Sequence, residues 1–90
     1  MANFIHYTFN GAKANEAVRV LIDRAANVFL VDDAGFVAYK SGQKFAYWGG
    51  RAGLGEKIIK IPQPGTWHLI IDMGGEGGTI RHSAVIIQGK

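Results

Sequence analysis

Cysteine is absent from the chain, which excludes disulfides and thiolate zinc sites. Proline is scarce, at two residues, so the glycines do not read as part of a Pro-rich linker. Long apolar runs are also missing. "VFLV", "LII" and "AVII" fall far short of the roughly 18 residues a membrane helix needs, and no membrane partner is expected. Charged residues make up 19 % of the chain and the net charge is only +3. The basic residues run from Lys13 to Lys90 with acids between many of them, rather than clustering as nucleic-acid binding requires. "MANFIHYTFN" has no basic segment followed by a long apolar run, so a secretory signal is not expected and a soluble, cytoplasmic protein is.

What is present points to a packed β domain. Apolar residues are 48 %, too many for a disordered segment, and 90 residues suit one domain spanning 1–90. The periodicity is mostly two. "FIHYTF" (4–9) is aromatic and β-favouring, and 17–22 sets Val18, Val20 and Ile22 on one apolar face. "ANVFLVD" is a continuous apolar run, expected as a strand covered on both sides and joined to its predecessor by a hairpin at "DRA". "KFAYW", "EKIIKIP", "TWHLIID" and "TIRHSAVII" complete the strands. Such strands at intervals of about 8 to 12 residues, split by Gly and Pro turns, predict an all-β, antiparallel sandwich, jelly-roll-like. One short helix is expected near 33–41, capped by Asp33, with Phe36, Tyr39 and Lys40 on one face and Gly42 as a left-handed stop.

The stretch "YWGGRAGLG" (47–55) invites a phosphate-loop reading. It lacks a Lys-Ser/Thr pair and is followed by a β-type segment, whereas phosphate and dinucleotide loops lead into a helix. The glycines are therefore read as a flexible loop between strands, permitting positive φ. Tyr47 and Trp48 would face opposite sides, one in the core and one outward. The outward ring beside Arg51 makes Tyr47, Trp48 and Arg51 the candidate ligand-binding residues.

The histidines His6, His68 and His82 lack metal-site spacing, and neither a metal nor a cofactor is expected. Asp32 and Asp33 lack the alternating oxygens of a calcium loop. An Asp72–Arg81 cross-strand ion pair is expected. A Ser83–His68–Asp72 triad is conceivable but lacks a strained nucleophile turn, so the chain is expected not to be an enzyme. Ten aromatics exceed what a small sandwich core hides, which predicts a binding groove or an oligomer interface. The expected role is a non-enzymatic binding or adaptor module, with a protein partner, self-association or a small polar ligand. The alternatives are a carbohydrate-binding module, told by coplanar exposed aromatics, and a minor enzyme using His68 or His82.

"NFIHY" (3–7), "AANVFLVD" (25–32), "FVAYKSG" (36–42), "YWGG" (47–50), "IPQPGTWH" (61–68) and "GGTIRHS" (77–83) occur in colinear order along nearly the whole chain. In these segments the sequence resembles a family of small bacterial domains of unknown function. The chain departs from the family pattern at Thr8, where an acidic residue is expected. The resemblance implies a compact β-sandwich with no assigned activity or catalytic residues. Members also occur joined to a Toll/interleukin-1 receptor-type domain, which implies a sensing or adaptor role. With nothing after Lys90, this chain is expected to stand alone.

Overall fold

The computed structural model describes residues 4–74 and 79–88. Its elements run β1 (Phe4–Ala12), β2 (Glu16–Ile22), β3 (Ala26–Val31), α1 (Asp33–Lys40), β4 (Trp48–Ala52), β5 (Gly55–Lys60), β6 (Gly65–Asp72) and β7 (His82–Gln88). The strands form a four-stranded sheet ordered β1-β6-β3-β4 and a three-stranded sheet ordered β5-β2-β7. Every pairing is antiparallel. The pairs β1·β6, β2·β5 and β3·β4 are nested one within the next, which is the winding of a jelly roll. Strand β7 adds to the free side of β2. The expected all-β sandwich with one short helix is the observed fold.

The core lies between the sheets. Val18, Val20 and Ile22 of β2 face Val28, Leu30, Leu69 and Ile71 of β3 and β6, and all are at most 5 % exposed. The apolar run of β3 is covered on both sides, as its composition predicts. Its inner residues enter the core, and Val31 is buried on the outer face. Helix α1 lies over that outer face. Gly35 is the helix's buried residue, and a Cβ there would come within 3.0 Å of the Val31 Cβ. A glycine that weakens the helix thus lets it sit close against the end of β3.

Several local expectations need correction. No hairpin joins β2 to β3, because the Asp23–Ala25 segment crosses from one sheet to the other. Strand β3 lies between β6 and β4 in the larger sheet, so β2 is not its neighbour. The helix cap is Asp32, whose side chain accepts from the Gly35 N–H at 2.7 Å, which leaves Asp33 free for another role. Gly42 does adopt the left-handed conformation after the helix, at φ 74°. Of "KFAYW" only Trp48 is in a strand, and the expected glycine loop is largely β4 itself. Gly49 and Gly50 do carry positive φ, at 110° and 132°, but within the strand. The expected Asp72–Arg81 pair does not form, since β7 pairs with β2 and not with β6. As expected, the core does not hold all ten aromatics: Trp67 is buried in it, and most of the others are half-buried. Phe4, Phe29, Phe36, Tyr39 and Phe45 make a second cluster outside the larger sheet, under α1 and the segment after it. Tyr47 and Trp48 are the aromatics that stay exposed.

Gly49 provides a test of the β4 geometry. A Cβ there would fall 2.3 Å from the Val28 carbonyl oxygen, against backbone that cannot yield. Gly49→Ala is expected to cost about 3 kcal/mol in denaturant unfolding, from strain plus overlap. Gly53→Ala, with open space and no positive φ, is expected to stay within about 0.5 kcal/mol of the parent.

Candidate functional site

Three groups of side chains stand out. The first lies on the outer face of the larger sheet, where alternation in β1 and β6 turns His6 and His68 outward beside each other. Because Val31 pairs with His68, the helix that starts two residues later brings Asp33 over that imidazole. His68 Nε2 is 2.5 Å from Asp33 Oδ1, and His68 Nδ1 is 2.8 Å from His6 Nε2. A carboxylate can only accept, so His68 Nε2 carries a hydrogen, and the facing His68 Nδ1 and His6 Nε2 share one hydrogen bond. Thr8 Oγ1 stands 3.3 Å from the same His6 nitrogen. Phe36 stacks on both imidazoles, at 4.0 Å from His6 and 4.8 Å from His68, and Lys40 Nζ lies 4.4 Å from the Phe36 ring centre. Burial, then His68, then the Lys40 charge push the His6 imidazole below its ordinary value.

This strip pins the helix to the sheet. The two facing nitrogens are spent on each other, and among the described residues no three His, Asp or Glu side chains gather as a metal would need. Further along the same face the Tyr39 hydroxyl donates to Asp72. Burial, followed by the bond to Asp72 and its charge, pushes that hydroxyl well above its ordinary range, so it stays a donor.

The second group lines a cleft of about 300 Å³ where β2 ends and β7 begins. Leu21, Ile22 and Gly55 give it apolar walls, and Asp23, Arg81, His82 and Ser83 give it polar ones. Asp23 Oδ1 accepts from the Arg81 backbone N–H at 2.9 Å, which ties the segment between the sheets to the start of β7. From the larger sheet, Tyr7 reaches across to His82 Nδ1 at 2.5 Å.

The third group is the sequence-predicted one, and the structure splits it. Trp48 pairs with Leu30, on the inner side, and meets Trp67 edge-on at 5.3 Å. Tyr47 packs against Phe29 at 4.7 Å, and Arg51 pairs with Asn27, both on the outer side. Tyr47 and Trp48 thus face opposite ways, as expected. Neither is core, because β4 is an edge strand and leaves them 48 % and 43 % exposed. The conceivable triad does not assemble either. His68 is committed to Asp33 and His6, Asp72 accepts from Tyr39, and Ser83 lies in the other sheet. Sequence reasoning missed Asp33 and His6 as partners of His68, and Asp23 beside Arg81. Those partners lie 35, 62 and 58 residues apart, where spacing carries no signal.

The model of the domain-of-unknown-function family DUF1883 matches residues 2–89. The chain belongs to that family. No curated protein and no solved structure matches it. Among the described residues no helix is long and apolar enough to cross a membrane.

The His6 shift sets a pH dependence. The folded protein holds His6 below 6.5, so the unfolded chain takes up the proton first as pH falls. The contribution is fully present above that value and is lost as pH drops through 6.5 toward the lower folded value. Denaturant unfolding between pH 8 and about 5 should show stability falling with acid, and His6→Gln should flatten that fall.

Proposed function

We propose that the domain is a binding module without catalytic activity, holding a small polar ligand in the cleft between the end of β2 and the start of β7. The observation that carries this reading is a space of about 300 Å³ lined by Asp23, Arg81, His82 and Ser83 beside apolar Leu21 and Ile22. A concave apolar surface with a few fixed polar groups is what small ligands occupy. The position at one end of the smaller sheet adds support, since β2, β5 and β7 meet there, Asp23 accepts from the Arg81 backbone and Tyr7 of the other sheet reaches His82. A non-enzymatic role is supported by the placement of His82. The register of β7 turns the His82 ring inward beside Ile22 and the Ser83 hydroxyl outward beside Leu21, so the imidazole is not placed to activate the serine.

A second reading has its own observation. Tyr47, Trp48 and Leu54, the last 74 % exposed, flank the edge strand β4 and suit a protein partner in the adaptor role that the family resemblance implies. Sugar stacking is less well supported, because Tyr47 and Trp48 lie on opposite faces and offer no coplanar platform.

Amide chemical-shift mapping separates these readings. A fragment panel of small carboxylates, phosphates and monosaccharides should move the amide signals of Leu21, Asp23, Gly55, Arg81 and Ser83. Ser83→Trp, which fills the cleft mouth, should abolish those movements while leaving the fold intact. Movements confined to Tyr47–Leu54, or none with any fragment, would refute the cleft. Acrylamide should quench Trp48 strongly and Trp67, at 2 % exposure, hardly at all. Equal quenching of both would refute the placement of the aromatic edge.

A further inference from the structure

The edge of a sheet is a row of unpaired backbone N–H and C=O groups, and the two sheets end in β1, β4, β5 and β7. Three of these strands carry features that hinder pairing with another chain. Strand β1 is interrupted by a register shift between Phe9 and Ala12. Strand β4 is only five residues long and bears Arg51. Strand β5 sets Glu56, Lys57 and Lys60 along six residues. Strand β7 has none of these devices. Its seven residues include no Lys, Arg, Asp, Glu, Pro or Gly, and its ladder on β2 runs without a shift from His82 to Gln88. Among the described residues no strand pairs with its other side. Val85, at its centre, is 51 % exposed.

We propose that β7 is a self-association edge: two copies of the chain pair β7 with β7, antiparallel about a two-fold axis at Val85, and join their smaller sheets into one. Pairing at β7 does not depend on the cleft holding a ligand.

Side-chain alternation fixes the register. Inward residues of one copy must meet inward residues of the other, so a slip of one residue is excluded. An axis at Val85 sets Val85 against Val85, Ala84 against Ile86, Ser83 against Ile87 and His82 against Gln88. This register uses the whole strand and keeps both faces matched, because the number of residues is odd. Strand β5, with six, cannot pair with itself over its full length without setting inward residues against outward ones. No like charges meet along β7 either, and β-branched residues meet at the axis. The strand thus complements a second copy of itself.

Apolar surface lies beside the edge. Strand β1 borders the same side of the sandwich, where Tyr7 reaches His82. Its Ile5, Tyr7 and Phe9 pack on the core but are only half-buried, as is Ile86 of β7. A copy joined at β7 brings its own half-buried apolar side chains to that flank. Apolar burial then adds to the backbone hydrogen bonds, which a stable interface needs.

Sedimentation of the full chain over a roughly hundredfold range of concentration should show monomer and dimer in exchange. Val85→Glu puts a carboxylate opposite Arg19 of its own chain and two carboxylates against each other at the axis. It should weaken the dimer at least about tenfold and leave the fold intact. Mixing Val85→Glu with Val85→Lys should restore association as a mixed dimer, which a folding defect would not do. Ile58, 52 % exposed, pairs with the same Arg19 from β5, so Ile58→Glu should leave association unchanged. The chain has no cysteine, so Val85→Cys should give a disulfide-linked dimer on oxidation and Ile58→Cys should not. A parent that stays monomeric at every concentration overturns the proposal. Dissociation by Ile58→Glu and not by Val85→Glu overturns it in favour of contact through the outward face of the sheet. If Val85→Glu does not fold, the cross-link at Val85→Cys decides the matter.

Discussion

The constraint on which the molecule depends is that its larger sheet must be covered on both faces. From Trp67 to Ile71, β6 is buried at five successive positions, where a strand facing water on one side would alternate. In β3 the outward Asn27 and Phe29 are half-buried and Val31 is buried. The second sheet covers one face. Among the described residues helix α1 covers the opposite face, with the aromatics that follow it. The placement of His68 follows from this. It sits on the outward face of a strand, yet is 9 % exposed, because the helix lies above it. A polar ring held so far from water needs partners, and Asp33 and His6 provide them.

The same constraint explains where the aromatics go. A two-layer sandwich of this length has one core, and ten aromatics would overfill it. A helix on the outer face makes a third partial layer and a second apolar cluster. Edge-to-face contacts link Phe4, Phe29, Tyr39 and Phe45 within it, including Phe29 to Phe45 at 5.4 Å. What remains outside is confined to β4, where the sheet ends. That edge has its own protection. The strand there is short, and its pairing with β3 runs without a shift through Gly49 and Gly50, whose φ values are positive.

The cleft arises from topology rather than from any one segment. Jelly-roll winding sends β2 and β3 to different sheets, and the segment between them must cross the end of the sandwich. Asp23 anchors that crossing to Arg81, and Tyr7 ties β1 to β7 beside it. Residues that are polar for the sake of holding the sheets together therefore ring a space with apolar walls.

The sequence by itself determined the class of fold. Two-residue alternation in β2, the continuous apolar run of β3 and the glycine and proline breaks are local signals, because the side-chain period of a strand is fixed by its backbone. The helix was legible for the same reason, through Asp32-Asp33, the spacing of Phe36 and Tyr39, and Gly42. Strand partnership was not legible. Pairing depends on which apolar faces can be buried together, and a hairpin at "DRA" looks as good locally as a crossing between sheets. The site residues depended on that pairing. His6 meets His68 only through the register of β1 on β6, and Arg81 meets Asp23 only once β7 has joined β2. The tertiary structure alone decided these contacts, because hydrogen bonds between residues tens of positions apart are set by how sheets stack and not by any pattern along the chain.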